Sequence, residues 1–556
     1  MKRIGIAAAL LLLVACAGTA EATVRCMTRE IDPNRAMLRP VPPAEMVRTH
    51  NAGQPMTPPE NPDVGDSWLW YTWRLNGPPT PELKMCTVRG EGTNVYVVVE
   101  DSQWQTRVFQ NDVDAVVNAW DNASQGIHPD QGIYPLDTNI FGPAPDMLDH
   151  DPKIYVLFYD FDIAADGFFW AFDEYPDGSQ QYASNECEVI YMNSSDNDPG
   201  GTYLISVMAH EFEHMIHWYA DEDEAAWVDE GMAELAMWFF GYPDQIVGFP
   251  ANPDNDLTGW TGIFADYVKT YLWSLYFYEQ YGGEPTVWAV VHEPANSVTG
   301  YENVLDQIGS SMGFNDVYAD WVVANYLDDT AFDHGQFGYI GATLPAFYAV
   351  VKNTYPVPPT NGSVYRYAAD YVKFINGIPQ RLRFDGNDAG VWRPRVLFKN
   401  GATTLDVVDM SLDAVDFGTV DLFDFGQDYD TVILVVAKTS PSSATSYQYG
   451  TEGIPAGVPD GLAASVLRLH AGEPNPMRAG GVIRLDLNRA QQVSVSVVDL
   501  SGRVVRNLGS GRYEAGVHPF RWDGRNEQGL DLPAGVYFVR ARAEDGTAAS
   551  RWLRVR

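Results

Sequence analysis

The central part of the fold is decided by residues 202–220, which read TYLISVMAHEFEHMIHWYA. Apolar side chains recur through this stretch at helical spacing, and the pattern predicts a buried helix. His210, Glu211 and His214 interrupt the apolar pattern. Because positions i and i+4 lie one turn apart on the same helix face, the two imidazoles point in one direction. Unpaired polar groups in a buried helix are costly, so the pattern predicts a cation site.

The residue types at 210–214 suit zinc. Two imidazole nitrogens, one carboxylate and an open water position match the tetrahedral preference of Zn2+. We therefore expect His210 and His214 to be ligands and Glu211 to be the general base that activates water. The structural interpretation of the same pattern is a pair of hydrogen-bonded core histidines beside a surface glutamate.

The third ligand must come from outside this motif. The metzincin continuation requires glycine at position 217 and histidine at position 220, but the chain has His217 and Ala220 there, which excludes that class. His217 lies about 10 Å along the helix axis from His210, too far to share a tetrahedral ion. We expect His217 to pack or hydrogen-bond near the site.

A second helical stretch, residues 227–240, supplies better candidates. Glu230 and Glu234 are four residues apart and share one helix face. One of them can bind the metal while the other supports a histidine from behind. On the residues alone, both assignments stay open.

A family resemblance favours Glu230. His210 to His214 followed by Asp229-Glu230-Gly231 resembles the gluzincin arrangement of thermolysin-like proteases, in which the glutamate of an Asn-Glu-Gly or similar tripeptide is the third ligand. Residues 210–217, 227–236 and 320–327 are similar to hyicolysin-type bacterial metallopeptidases. The resemblance covers roughly residues 151–329 and implies an α+β, thermolysin-like zincin domain. Asp229 replaces the commoner asparagine and is a candidate supporting residue.

Two tyrosines are candidates for a further role. Hydrolysis of a peptide needs a donor for the developing oxyanion, and Tyr267 and Tyr271 in the helical stretch 267–281 are the candidates, although aromatic residues at this spacing are more often core. Acidic groups at Asp160, Asp162 and Asp166, and in the run 221–224, are candidate Ca2+ ligands. Solvated loops are the competing interpretation, because neither set matches an EF-hand loop.

Composition and the N-terminal sequence indicate which partners and which location to expect. The 556-residue chain is 46% hydrophobic with a formal net charge of -38, which indicates a folded protein and makes nucleic acid an unsuitable partner. Residues 1–22 have the charged, apolar and small-residue regions of a secretory signal peptide. Leu13-Val14-Ala15-Cys16 also resembles a lipobox, which would make the protein a lipoprotein anchored through Cys16. We expect secretion or attachment to the cell surface.

The remaining cysteines give weaker predictions. Cys26 and Cys86 are candidates for one disulfide in an oxidising compartment, although sequence alone cannot assign the pairing. Cys187 precedes a predicted strand and is expected to be a buried core residue, with a thiol ligand as the alternative.

The residue pattern changes along the chain, which predicts a multidomain protein. Residues 23–90 are an N-terminal region and a candidate propeptide, 91–345 form the metallopeptidase domain, and 346–452 are β-rich. Residues 465–556 have short alternating strands typical of a β-sandwich. Their motifs at 499–504, 522–525 and 534–538 resemble the Ig-like domain of flagellar hook-capping proteins and the sorting domains of type IX secreted proteins. The resemblance implies contact with secretion machinery or the cell surface.

These observations predict an exported zinc endopeptidase that hydrolyses peptide bonds of proteins. One alternative is a surface binding or adhesion protein whose metal site is structural or vestigial. A second alternative is an aminopeptidase, which would need a pocket for the substrate amine.

Overall fold

A computed structural model describes residues 26–28, 38–42, 45–48, 58–59, 61–454, 467–473, 477, 480–487, 489–499, 503–543 and 546–554. The predicted signal peptide and the lipobox cysteine lie outside these residues. Within them, no helix combines the length and the hydropathy needed to span a membrane.

The first domain is built on one six-stranded sheet with the spatial order β1-β2-β3-β4-β6-β5. Its strands are β1 Ser67–Arg74, β2 Thr80–Glu91, β3 Val95–Glu100, β4 Ile154–Tyr159, β5 Gly167–Phe169 and β6 Val189–Asn193. Strands β3, β4 and β6 run parallel, and β1, β2 and β5 pair antiparallel. The parallel strands are buried along their whole length, which explains their unbroken apolar sequences.

The described part of the chain has eight α-helices in this domain, and they extend it beyond the sheet. They are α1 Gln110–Asp121, α2 Ile133–Ile140, α3 Thr202–Ala220, α4 Ala226–Phe240, α5 Phe264–Tyr281, α6 Glu284–Val291, α7 Val298–Gln307 and α8 Phe314–Leu327. Helix α3 follows strand β6, which lies next to the edge strand β5, and the side chains of α3 from Leu204 to Trp218 are all buried. Polar groups on α3 must therefore find partners inside the protein.

The sheet separates two apolar cores. The helices pack on one face around residues such as Val97, Val156 and Phe212. The other face carries an aromatic core with Trp70, Tyr155 and other rings. The predicted domain boundary at residue 90 is wrong, because β1 and β2 hydrogen-bond into the same sheet as β3. The N-terminal region 23–90 thus includes two strands of the folded domain.

The second domain is a two-sheet β-structure. One sheet has the order β14-β10-β16-β8, and the other has β13-β12-β15-β9-β7 with β11 paired to β15. The strands are β7 Val350–Lys352, β8 Thr360–Val364, β9 Ala369–Ile375, β10 Gln380–Gly386, β11 Val391–Trp392, β12 Arg395–Asn400, β13 Thr403–Asp409, β14 Phe417–Leu422, β15 Thr431–Ser440 and β16 Thr445–Glu452. Their inward side chains form a shared core, as expected for the β-rich segment.

The C-terminal domain also has two sheets, ordered β17-β18-β21 and β20-β19-β22-β23. The strands are β17 Leu467–Glu473, β18 Gly481–Leu487, β19 Gln491–Asp499, β20 Val504–Tyr513, β21 Gly516–Trp522, β22 Gly535–Ala543 and β23 Gly546–Arg554. Alternating residues of β19, Val493, Val495 and Val497, are buried in the core between the sheets. This is the predicted β-sandwich arrangement.

Candidate metal centre

Helix α3 brings the two motif histidines together. The Nε2 atoms of His210 and His214 lie 3.1 Å apart, and both side chains are fully buried. Two imidazole nitrogens facing each other at this distance inside a protein need a shared proton or a shared cation between them. The helical i, i+4 spacing thus produces the convergence that the sequence predicts.

Helix α4 delivers the third group. Glu230 Oε2 lies 3.4 Å from His210 Nε2 and 3.7 Å from His214 Nε2. Neither oxygen of Glu230 has a hydrogen-bond donor of good geometry among the described residues, although the side chain is fully buried. A buried carboxylate without donors is costly unless a cation completes its surroundings.

The outer nitrogens of both rings face other carboxylates. Glu234 Oε1 lies 3.4 Å from His210 Nδ1, and Asp229 Oδ2 lies 3.1 Å from His214 Nδ1. A carboxylate at Nδ1 fixes the tautomer and orientation of a histidine whose Nε2 binds metal. The two glutamates of α4 therefore occupy different positions, with Glu230 facing the inner ring nitrogens and Glu234 behind His210.

The dimensions of the site fit zinc. Ligand atoms bound at about 2.0–2.3 Å in a tetrahedron lie roughly 3.3–3.7 Å from one another. The contacts among His210, His214 and Glu230 span 3.1–3.7 Å. The donor set of imidazole and carboxylate also suits this ion. Zinc at this position stays a prediction that the geometry permits.

A fourth donor is Cys26, which lies in the N-terminal segment formed by residues 26–28. Sequence reasoning missed this contact. Cys26, His210, His214 and Glu230 each offer one atom, and these four atoms all lie within 4.8 Å of one another. Cys26 Sγ lies 3.6 Å from His214 Nε2 and 3.5 Å from Glu211 Oε2. No local pattern around residue 26 signals this contact, because it joins positions 188 residues apart.

Glu211, the predicted base, is held by the same segment. Thr28 Oγ1 donates a hydrogen bond of 2.8 Å to Glu211 Oε2 and accepts one of 2.8 Å from Phe169 N. The other oxygen, Oε1, has no hydrogen-bond partner among the described residues. Glu211 Oε2 thus lies 3.5 Å from the Cys26 sulfur that approaches His214, and its role as the base stays a prediction.

The electrostatics favour positive charge between these groups. Burial by itself would lower the pKa of His210, but Cys26, Glu230 and Glu234 raise it well above the ordinary imidazole value. Burial would raise the pKa of Glu230, but contacts with His210 and His214 lower it. Burial also raises the pKa of Glu211, against the opposing charges of the two histidines. An ion at this centre would meet a carboxylate already favoured in its charged form.

The two candidate tyrosines lie at different distances from the centre. Tyr267 OH donates to the backbone carbonyl of Cys26 at 3.4 Å, and its ring centroid is 6.5 Å from that of His210. Tyr271 is a buried core residue one turn further along α5. Only Tyr267 of this pair therefore has a contact with the segment at the metal position among the described residues.

His217 lies beside the supporting shell. Its Nδ1 is 3.2 Å from Glu213 Oε1 and 3.5 Å from Asp229 Oδ1. The helix stays regular through this residue, so His217 does not reach the group of four donors. It instead packs beside Glu213 and Asp229.

The candidate calcium ligands accept hydrogen bonds from other parts of the protein. Asp162 accepts hydrogen bonds from Leu75 N and Asn76 N, and Asp166 accepts from Asn197 and Tyr203. In the run 221–224, Glu224 is capped by Ala225 N and Ser297 N. Neither set appears among the clusters of metal-ligating atoms in the described residues. Calcium stays an untested expectation.

The candidate disulfide does not form. Cys26, Cys86 and Cys187 are all free and buried. Cys26 lies in the helix-side core and Cys86 in the aromatic core on the other face of the sheet, so the sheet separates the two thiols. Cys187 packs in the aromatic core, as its core interpretation predicts, and is not part of the metal centre.

Comparison with known proteins identifies the C-terminal domain. Residues 478–547 match the family model of the FlgD Ig-like domain. The C-terminal module is of the FlgD Ig-like type. Basal-body rod modification protein FlgD of Salmonella typhimurium is 42% identical over 57 residues, and that of Escherichia coli is 40% identical over the same length. The match covers 10% of this chain and a quarter of each FlgD protein.

Solved structures add little to this assignment. PorZ, a surface component of the type IX secretion system of Porphyromonas gingivalis, is 22% identical, with a TM-score of 0.12, over 16% of this chain and 11% of PorZ. Dimeric latent PorU from the same organism is 17% identical, with a TM-score of 0.16, over 38% of this chain and 19% of PorU. Scores this low carry no argument about the fold. The FlgD-like module is thus the part of the chain that the comparisons assign.

Proposed function

We propose that the protein is an exported zinc-dependent endopeptidase with a thermolysin-like, gluzincin-type catalytic domain. One observation carries the proposal: two imidazoles and the carboxylate of Glu230 converge within 3.1–3.7 Å, while Glu211 lies beside them. This combination of three zinc-type ligands and an adjacent carboxylate is what metal-assisted hydrolysis of a peptide requires.

Each residue then has a defined task. Zinc, when bound, would polarise the peptide carbonyl and acidify the attacking water. Glu211 takes the proton from that water on a carboxylate oxygen and passes it to the leaving amine. Glu234 and Asp229 hold His210 and His214 in orientation through their Nδ1 atoms. Tyr267 is placed to donate its hydroxyl to a carbonyl oxygen bound at the centre.

The edge of the sheet suits a peptide substrate. Strand β5 pairs with β6 on one side only among the strands of the sheet, so its other side can accept an extended backbone. This favours an endopeptidase, because an extended chain can run past the centre in both directions. Cleavage confined to free N-terminal residues would instead indicate the aminopeptidase alternative.

A second candidate function has one observation in its favour. Structural zinc sites have four protein ligands, whereas catalytic sites keep one position open for water. With Cys26 included, the centre has four candidate donors, which matches a structural site in a surface binding or adhesion protein. Activity measurements distinguish the two functions.

The test uses the exported chain, residues 23–556, loaded with zinc. Metal analysis and hydrolysis of casein are measured for the wild type, for E211Q and for E222Q, which changes an exposed loop glutamate after α3. We expect one zinc per chain in all three proteins. The hydrolysis assay is done after residues 26–28 have been removed by proteolysis from all three proteins. E222Q should then hydrolyse casein like the wild type, and E211Q should bind zinc without hydrolysing casein. Equal hydrolysis of casein by E211Q and the wild type would reject the proposed enzymatic function.

For the FlgD-like domain we propose a role in secretion or surface attachment. Its own core of alternating apolar residues is complete without the catalytic domain. This suits a separate module that directs the protein to its location. Deletion of residues 465–556 should leave hydrolysis intact and change the location of the protein between the medium and the cell surface. Unchanged location would reject this role.

A further inference from the structure

The N-terminal segment formed by residues 26–28 lies against the open edge of strand β5. Cys26 forms a parallel bridge with Gly167, and Met27 N donates to Gly167 O at 3.0 Å. Phe169 N donates to the Thr28 side chain two residues further along. The segment therefore takes the position of an added strand, which is the binding mode of an extended peptide at a sheet edge.

The side chains of this segment enter the metal centre. Cys26 is fully buried, with Sγ among the four converging donor atoms and 3.6 Å from His214 Nε2. A sulfur and a nitrogen bound to one tetrahedral zinc lie roughly 3.5 Å apart. Independently, the buried carboxylate of Glu230, which has no hydrogen bond of good geometry among the described residues, faces the same point. The thiol thus occupies the direction that a catalytic site leaves to water.

We propose that residues 26–28 are a built-in inhibitor of the peptidase, with the Cys26 thiolate as the fourth zinc ligand. The inference rests on the proposed function, because it names the regulation of the same centre. It also explains why a catalytic ligand set contains a fourth protein donor: the closed site is the latent form of the enzyme, and removal of the segment opens it.

Three contacts of the segment block three parts of the machinery. Cys26 Sγ takes the water position beside Glu211. Thr28 Oγ1 donates a hydrogen bond to Glu211 Oε2, the oxygen that lies nearest this sulfur. The Cys26 carbonyl accepts from Tyr267, so it holds the donor that a substrate carbonyl would use. A peptide substrate cannot enter while these contacts exist, since both would need the same edge of β5.

Activation exchanges one ligand for another. Hydrolysis of one peptide bond between Thr28 and strand β1 consumes one water and leaves a new carboxylate and a new amine. The freed segment would then dissociate, the Cys26 thiolate would take up a proton from solvent, and its place at the centre would be open to water. The predicted removal of residues 1–22 precedes this step and keeps Cys26 in the exported chain.

The other two cysteines provide matched controls. Cys86 and Cys187 are as buried as Cys26 but lie in the aromatic core on the opposite face of the sheet. Substitution of either one changes the thiol count and the packing without touching the metal centre. Effects that are specific to Cys26 can therefore be separated from general effects of removing a buried thiol.

The experiment compares the wild type, C26S, C26A and C187S as chains of residues 23–556. Zinc is replaced by cobalt(II), whose bonds to thiolate give a charge-transfer absorption in the near ultraviolet. We expect this band in the wild type and C187S and its absence in both Cys26 variants. The same four proteins, loaded with zinc, are assayed on casein. C26S and C26A should hydrolyse it at least tenfold faster than the other two.

The outcomes separate the two proposals. Absence of the thiolate band in wild type overturns the inhibitor, whatever the activities are. A band with equal hydrolysis in all four proteins also overturns it, because the thiol then does not inhibit. If the band is present but both Cys26 variants bind zinc and stay inactive, the inhibitor and the proposed peptidase both fail, and the centre is structural. If C26S and C26A do not fold, proteolytic removal of the segment from wild type must abolish the band and start hydrolysis, or the inhibitor is rejected.

Discussion

Asp229 Oδ2 lies 3.1 Å from His214 Nδ1, the ring nitrogen opposite the one that approaches Glu230. A carboxylate in this position makes the imidazole a better and better-oriented ligand. We predict that D229N weakens zinc binding by about 10- to 100-fold, measured by competition with a chelator. E222Q is the control, because Glu222 is an exposed residue in the loop after α3. Similar losses in both variants would contradict a specific role for Asp229.

Glu230 and Glu234 should differ in their effect on metal binding. E230Q removes a group that faces both Nε2 atoms, whereas E234Q removes a group that contacts only the outer nitrogen of His210. We expect E234Q to lose about 10- to 100-fold in zinc affinity and E230Q to lose more. Metal content after dialysis measures the order. A larger loss in E234Q would exchange the roles of the two residues.

Tyr267 is predicted to stabilise the reacting carbonyl. After proteolytic removal of residues 26–28, Y267F should lower kcat by about 100-fold or more with little change in KM. The matched control is Y271F, which removes a hydroxyl from a buried tyrosine one turn along the same helix. Equal effects of the two substitutions would assign Tyr267 to packing alone.

Asp173 should make stability depend on pH. Burial raises the pKa of Asp173 to about 7, although Asn185 N and Tyr191 OH donate to its carboxylate. Because the ordinary aspartate pKa is about 4, the unfolded chain loses its proton first. The folded protein therefore loses stability as pH rises from about 4 to about 7, by at most about 4 kcal/mol from this residue.

Calorimetry of D173N across this pH range checks the prediction. The variant cannot ionise at this position, so its melting temperature should fall less between pH 4 and 7 than that of the wild type. Other buried carboxyl groups, such as Asp149 with a pKa raised to about 6, titrate in both proteins. Only the difference between them belongs to Asp173, and parallel curves would contradict the prediction.

A buried ion pair joins the first domain to the β-rich domain. Arg395 of β12 donates to Asp320 Oδ1 of α8 at 2.5 Å and to Ala319 O at 3.0 Å. The Asp320 side chain is 3% exposed, and R395M leaves it with the neutral Gln336 amide as a hydrogen-bond donor in place of a charged partner. We expect a loss of about 3–5 kcal/mol in unfolding free energy.

Chemical denaturation measures this loss, with R383M as the control. Arg383 pairs with Glu452 where both side chains are more than two-fifths exposed, and such pairs contribute about 0–1 kcal/mol. Equal destabilisation by the two substitutions would show that Asp320 finds another partner.

Local sequence patterns predicted the helices of the candidate site, because helical spacing depends on neighbours a few residues apart. The helices at 202–220 and 226–240 lie close to the predicted stretches. The boundary at residue 90 failed for the opposite reason. Pairing of β2 with β3 is a contact between strands, and composition does not record which strands share a sheet.

The sequence by itself determined the chemistry of the candidate site. Helical spacing placed two histidines on one face. The residue types predicted a metal, a base and an acidic helix that supplies the third ligand. Tertiary structure decided which of Glu230 and Glu234 faces the inner nitrogens, because that depends on how α4 packs against α3. It also decided the position of Cys26, which meets Glu211 across 185 residues of chain. A contact of that span depends on chain folding, and no periodicity in the sequence encodes it.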